Sequence, residues 1–425
     1  MRFCLKREGS KTRVGAVDWV ALAVFSSFAA FFACPFSNAW PAPAPALTAS
    51  KITLPTPPAL AAKSFLLIDV TANQILAAQD VDLPVEPASL TKLMTAYLVF
   101  DALKSKKIDL HDSVAISQQA VHTPGARLFL DPKARVPVED LLKAVAVLSA
   151  NEASLALAEA VGGHAAHFVE MMNQQAQVLG MKNTRFKNPE GSTEPGQVTT
   201  ARDLSILATR LMVDFPSSLA YFSQKQYPDR ISNAPANNNG NSNTNTNNNT
   251  NTLLLRDPTV DGLKTGHSDT GGYSLIATAK REAPGVGPRR LLSVVIGAAS
   301  DNARATESQK LLNWGYTAFE AVKLFEAGVA VTAPDVWKGN AKSLPLGQPN
   351  AIVVDVPTGR AAQLRATLSR PDPLVAPYFK GQPVGQLKVT LADQPYLELP
   401  LVALASVDQA GLLGRAWDAL RLWIK

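Results

Sequence analysis

The apolar pattern changes period along the chain in an order that few folds can satisfy. Two short strand-like runs, residues 64–70 and 74–78, flank the turn residues Thr71 to Asn73. Helical periodicity then takes over at 90–103, 138–148, 152–161, 164–179 (closed by Gly180) and 201–213. Strand character returns at 273–280 and 291–297, followed by an amphipathic stretch from about 303 to 322. Strands, a helical block, then strands and a helix predict an α+β domain whose one sheet is built from both ends of the segment. Between 327 and 407 the texture changes to short β-like runs at 351–356, 364–368 and 385–391, punctuated by Pro and Gly, which predicts a separate small all-β domain.

The N-terminus reads differently. A basic stretch ending at Arg13 precedes the apolar run 20–33, then Ser37, Asn38, Ala39 and a Pro/Ala stretch, which is the order of a removable export signal over residues 1–46. The run falls short of the roughly 20 residues a membrane-spanning helix needs. Lipid attachment at Cys34 is disfavoured by Phe31 and Phe32 before it and Pro35 after it. Both cysteines, Cys4 and Cys34, lie inside this segment, so the mature chain has no thiol for a nucleophile, a metal or a disulfide. Three of the formal +6 charges leave with it, and so small a charge on a 425-residue chain argues against nucleic acid as the partner. A Pro-rich lead, 47–63, connects to the domain at 64–326. Within that domain, residues 233–252 hold 11 asparagines among Thr, Ser, Gly, Ala and Pro, and are expected to form a disordered insertion without chemistry of its own.

Three short motifs fall in order: Ser89-Leu-Thr-Lys92, Ser149-Ala-Asn151 and Lys264-Thr-Gly266. Each is weak alone, the first two arising by chance about once in a chain of this size and the third about once in ten such chains, and Ser300-Asp-Asn302 matches the second pattern but follows the third. Placement gives them meaning. Ser89 opens a helix, among free backbone N–H groups and the positive end of the dipole, both suited to an anionic tetrahedral intermediate. Lys92, one turn on, faces the same way and can take the serine proton if burial or a neighbouring cation lowers its pKa; Lys264 would be such a cation. Ser149 and Asn151 sit in a turn between helices that can aim a hydroxyl and an amide into one cleft. Lys264 would attract a carboxylate, Thr265 hydrogen-bond it, and Gly266 admit a substrate backbone. Read singly, Ser89 is equally an N-cap, Lys92 a solvated charge, Ser149-Ala-Asn151 a capping turn, and Lys264 an incidental hairpin lysine.

Together the motifs resemble the serine penicillin-recognising enzymes. Pro87-Ala-Ser-Leu-Thr-Lys92, Leu148-Ser-Ala-Asn-Glu-Ala153 and Val260-Asp-Gly-Leu-Lys-Thr-Gly-His-Ser-Asp269 are most similar to the low-molecular-mass D-alanyl-D-alanine carboxypeptidases, over about 60–325 and on into the β domain and C-terminal helix. The resemblance implies a DD-peptidase/β-lactamase-like domain, an antiparallel sheet with helices on both sides and a helical subdomain. It implies that Ser89 attacks the penultimate D-alanine carbonyl of a peptidoglycan pentapeptide, releases the terminal D-alanine, and is freed by water. Lys92 would be the base, with Ser149 and Asn151 as relay and positioning groups. Backbone N–H groups of Ser89 and His267 would form the oxyanion hole, while Lys264, Thr265, Gly266, His267 and Arg304 would hold the substrate. β-Lactams would acylate Ser89, and no cofactor is implied.

Ala150 and Glu152 stand where the family often has Gly and Asp. Glu190 and Glu194 lie where class A β-lactamases carry their deacylating glutamate, but without the Glu-x-x-Leu-Asn pattern. His164 and His167 lack a third metal ligand and read as an exposed helical face. At 409–425, Leu412, Leu413, Ala416, Trp417, Leu420, Trp423 and Ile424 share one arc of a helix, with Arg415, Asp418, Arg421 and Lys425 opposite and Leu422 out of place. That pattern suits a membrane interface, so the expected location is the periplasm, attached to the outer face of the cytoplasmic membrane. A DD-endopeptidase, or a non-catalytic wall-binding scaffold, are the competing readings.

Overall fold

The first domain is organised by one antiparallel sheet made from both ends of its sequence. The computed structural model of the protein describes residues 52–227, 247–412, 414–415 and 417–418; the export segment at 1–46 and residues 228–246 lie outside it. Strands β1 (Ser64–Asp69) and β2 (Gln74–Gln79) form a hairpin. After a small hairpin of β3 (Ser113–Ala115) and β4 (Arg135–Pro137), the sheet is completed by β5 (Val260–Ser268), β6 (Gly272–Ala283) and β7 (Gly287–Ala298) in the order β2-β1-β7-β6-β5. Side chains alternate along β1: Leu66 packs in the helical core, while Phe65 and Leu67 pack with Leu311 and Leu312 on the opposite face. Burial on both faces explains why this strand reads as a continuous apolar run.

The helical block comprises α1 (Lys92–Lys104), α2 (Gln118–His122), α3 (Val138–Lys143), α4 (Asn151–Gly162), α5 (Ala165–Leu179) and α6 (Ala201–Asp214). Short α7 (Leu219–Phe222) and α8 (Leu253–Arg256) precede β5, and α9 (Asp301–Ala318) follows β7. Every residue of α1 from Lys92 to Phe100 is buried, so this helix is the axis of the block, packed against α4, α5 and α6. Gly180 at φ +83° ends α5, as its position predicts. The Ser300 hydroxyl accepts the Ala303 N–H at 3.1 Å, so the stray Ser-Asp-Asn is the N-cap of α9. His164 likewise caps α5 by accepting the His167 N–H.

Strand pairing overrides the helical period at 319. Instead of continuing to 322, α9 stops at Ala318, and β8 (Phe319–Phe325) pairs antiparallel with β12 (Ile352–Pro357). Val322, Leu324 and Phe325 thereby join the core of the β unit, which begins before residue 327. That unit also contains β9 (Ala330–Thr332), β10 (Val336–Trp337), β11 (Leu346–Gly347), β13 (Leu364–Ser369), β14 (Leu374–Val375), β15 (Pro383–Leu391) and β16 (Gln394–Ala403). Its main sheet runs β13-β15-β16-β11-β9. The Pro-rich lead also contributes to this core, through buried Ile52 and half-buried Leu54.

A buried polar cluster joins the two units. Arg289 of β7 donates to Asp69 of β1 at 2.5 Å, to Asp355 of β12 at 2.7 Å and to the Phe319 carbonyl at 2.9 Å. Gln74 exchanges hydrogen bonds with the backbone of Asp355, and the Tyr396 hydroxyl donates to the Asp355 carbonyl at 2.7 Å.

The Asn-rich tract departs from expectation at its far end. Asn249 and Asn251 are buried: Asn249 donates to the Phe222 and Gln224 carbonyls, and Asn251 donates to the Gly262 carbonyl while accepting the Leu253 N–H. Side-chain amides there do what apolar residues do elsewhere, by satisfying backbone groups of three neighbouring segments. Residues 247–252 are thus a packed wall segment, and the expected disordered insertion does not extend to 252.

Candidate active site

The three motifs converge where edge strand β5 meets the start of α1. Ser89 lies in a 3-10 turn, Ala88–Thr91, with Lys92 as the first residue of α1. Ala88 sits at φ +46°, an uncommon conformation for a residue with a Cβ. Close packing holds it there: a Cβ on Gly191, itself at φ +89°, would lie 1.9 Å from the Ala88 carbonyl oxygen. Gly266 brings β5 equally near, since a Cβ there would stand 2.9 Å from Leu90 Cγ and 3.2 Å from the Pro87 oxygen.

Lys92 is fully buried and donates to Ser89 Oγ at 3.0 Å, Asn151 Oδ1 at 2.7 Å and the Glu190 carbonyl at 2.5 Å. Burial brings its pKa down to about 7, partly opposed by the charge of Glu190. An amine poised there, in contact with a hydroxyl, can accept its proton at neutral pH. Among the described residues the Glu190 carboxylate makes no hydrogen bond to Ser89 or Lys92; its carbonyl is what reaches the site.

Ser149 and Asn151 arrive by a different local device. A π-helical segment, Ala144–Leu148, ends in Ser149 at φ +60°, a turn that aims its hydroxyl at Lys264. Lys264, fully buried on β5, donates to Ser149 Oγ at 2.9 Å. Burial, then the charges of Lys92 and Arg304, push its pKa well below the usual lysine value. The sequence expectation had Lys264 lowering Lys92, but desolvation dominates at Lys92 and the repulsion falls on Lys264.

Thr265 and Arg304 complete the far wall. Thr265 Oγ1 is 2.8 Å from Thr250 Oγ1. Arg304 donates to the Gly266 carbonyl at 3.1 Å and the Thr250 carbonyl at 3.3 Å, and pairs with Asp301. It is therefore buried against β5, one of the two positions its place in the sequence allowed. The exposed His267 ring packs on Tyr273, with centroids 4.0 Å apart. All nine expected residues thus lie on the elements that bound one cleft.

Model and sequence comparisons give this geometry a family. Residues 51–300 match the family model described as D-alanyl-D-alanine carboxypeptidase. The chain belongs to the D-alanyl-D-alanine carboxypeptidase family. Residues 319–409 match a second model, the penicillin-binding protein 5 C-terminal domain, beginning at the first residue of β8. D-alanyl-D-alanine carboxypeptidase DacA of Haemophilus influenzae is 36% identical over 377 residues, which are 87% of this chain and 91% of that protein. Among solved structures, penicillin-binding protein 5 from H. influenzae aligns at TM-score 0.74 and 34% identity, covering 83% of this chain and 99% of that one. Penicillin-binding protein D2 from Listeria monocytogenes in its cefotaxime-bound form aligns at 0.52 and 30%, covering 62% of this chain and all of that one.

Several residues that surround these motifs escaped sequence reasoning. Glu152 accepts the N–H groups of Leu128 (2.7 Å) and Leu130 (3.2 Å), and Asn151 donates to the same segment, its backbone N–H to the Ala126 carbonyl at 2.7 Å and its side-chain amide to the Pro124 carbonyl. Consecutive residues therefore grip one strap beside the cleft, which gives Glu152 a structural task beside its motif. The Glu190 carbonyl had a faint signal, since Asn188-Pro-Glu-Gly191 is turn chemistry. Thr250 and Asp301 had none, being masked by a low-complexity tract and by a false motif.

Proposed function

We propose that the chain is a serine D-alanyl-D-alanine carboxypeptidase that trims peptidoglycan stem peptides through an acyl-enzyme on Ser89. The observation that carries this reading is the buried Lys92 amine, held near neutral pKa and bonded to both Ser89 Oγ and Asn151. Lys92 takes the hydroxyl proton as Ser89 Oγ attacks the penultimate D-alanine carbonyl. The oxyanion is received by the Ser89 and His267 backbone N–H groups, which the close approach of Gly266 to the Ser89 turn brings into range. The proton passes from Lys92 to the departing D-alanine amine by way of the Ser149 hydroxyl, while Asn151 holds the Lys92 amine in place, and water then attacks the ester by the reverse path. Lys264, Thr265 and Arg304 gather around the terminal carboxylate, whose charge favours the protonated Lys264 that burial disfavours. β-Lactams enter the same site as acylating inhibitors.

Export to the periplasm and attachment to the membrane belong to the same reading. Among the described residues no helix is long and apolar enough to cross a membrane. What supports surface attachment is the orientation of the described C-terminal residues: Asp418 accepts the Lys338 N–H, while Leu412 and Trp417 are exposed. The test is release of D-alanine from a pentapeptide against cleavage of a cross-linked dimer. Carboxypeptidase activity predicts the first reaction dominant; dimer cleavage without free D-alanine overturns it in favour of an endopeptidase.

A further inference from the structure

The far end of the Asn-rich tract reaches into the cleft through one residue, Thr250. Its backbone N–H donates to the Val147 carbonyl at 3.0 Å, two residues before Ser149. Its carbonyl accepts from Arg304 at 3.3 Å, and its hydroxyl meets that of Thr265 at 2.8 Å. Thr250 therefore touches the segment leading to Ser149, the strand carrying Lys264 and Thr265, and the arginine on α9. It is fixed on both sides, because Asn249 and Asn251 are buried and their amides are engaged. Apart from Asn249 and Asn251 their neighbours Asn248 and Thr252 are half-buried, so Thr250 is where the packed segment turns its side chain to the site.

The hydroxyl pair has a direction that substrate binding must select. Each threonine hydroxyl has one proton and two acceptor lone pairs. Thr265 can donate to an arriving carboxylate only if the proton between the two hydroxyls comes from Thr250. If Thr265 spends its proton on Thr250, it presents a lone pair to an anion and repels it.

We propose that Thr250 is a positioning residue for carboxylate recognition: it donates to Thr265, so that Thr265 donates to the substrate, while its carbonyl steers Arg304 toward the same anion. This rests on the catalytic reading above. The Asn-Thr-Asn end of a compositionally biased tract then contributes to substrate specificity and is more than a connection.

The test compares acylation by benzylpenicillin, which carries the carboxylate, with acylation by its methyl ester, which does not. Thr250→Val keeps shape and backbone contacts but removes the hydroxyl. The expected result is a loss of about tenfold in the benzylpenicillin rate, the scale of one hydrogen bond to a charged group. The ester rate should be unchanged, and Thr250→Ser should restore the difference. Equal slowing of both ligands would assign Thr250 a purely structural role and overturn the proposal, as would no slowing or failure of serine to rescue. An unacylated wild type would overturn the catalytic reading and this inference with it, whereas acylation with unchanged selectivity overturns the inference alone.

Discussion

The cleft and the joint between the two units both bury charge, and they balance it in opposite ways. In the cleft, Lys92, Lys264 and Arg304 are buried together, and among the described residues the one carboxylate in an ion pair with any of them, Asp301, is 48% exposed. At the joint, Arg289 is enclosed by two fully buried acidic side chains, Asp69 and Asp355, and by the Phe319 carbonyl. An excess of buried cation disfavours its own protonation and waits for an anion; a cation saturated by carboxylates has nothing left to bind. The cleft thus stores electrostatic readiness at a cost to stability, whereas the joint spends its charges on fixing β12 against β1 and β7.

Substitutions should separate the two regions cleanly. Lys92→Met removes the base, so Ser89 acylation should fall about 10²–10⁴-fold, the usual contribution of a general base. Folding should not suffer. The native Lys92 loses its proton near pH 7 and the unfolded one near 10.5, so wild-type stability rises with pH across that window. The methionine variant lacks that rise, and its advantage in thermal midpoint should be largest at pH 7 and shrink toward pH 10. A variant less stable at pH 7 than at pH 10 relative to wild type would break the comparison.

Arg289→Met should do the reverse. It leaves the buried Asp69–Asp355 pair without its guanidinium and should cost about 3–5 kcal/mol by denaturant titration, with the acylation rate of the folded fraction little changed. Next in size is the pH dependence of acylation in the wild type, which should climb through about pH 7 as Lys92 deprotonates and level above it. The smallest effect is expected from Asp355→Asn. Burial, then the charge of Asp69, hold the Asp355 carboxyl well above the usual carboxylate range. The native state therefore keeps a proton that the unfolded chain releases above about pH 4, and wild-type stability falls as pH rises from there. Asparagine removes that fall, so the thermal midpoint of the variant should gain on wild type as pH rises above about 4.

The two regions also differed in how far the sequence disclosed them. The cleft was legible because its chemistry is local: Ser89 and Lys92 share a turn, and Ser149 and Asn151 share another. The sheet was legible because β1 and β7 are apolar on both faces. The joint was invisible, because Asp69, Arg289 and Asp355 are far apart in sequence and each reads as an ordinary surface charge until β12 pairs with β8. The same pairing explains the misplaced end of α9, where Phe319 and Val322, three residues apart, can continue a helical stripe although both belong to β8. Thr250 was hidden by composition: a tract rich in Asn predicts disorder when amides are counted as polar, yet Asn249 and Asn251 are buried because each finds backbone partners.

The central claim, that the uncompensated cleft exists to activate Ser89, is tested most directly by intact-protein mass after exposure to benzylpenicillin. One penicillin should add to the wild type and map to the Ser89 peptide, with no adduct on Ser89→Ala. An adduct that persists in Ser89→Ala, or none on the wild type, would contradict the account.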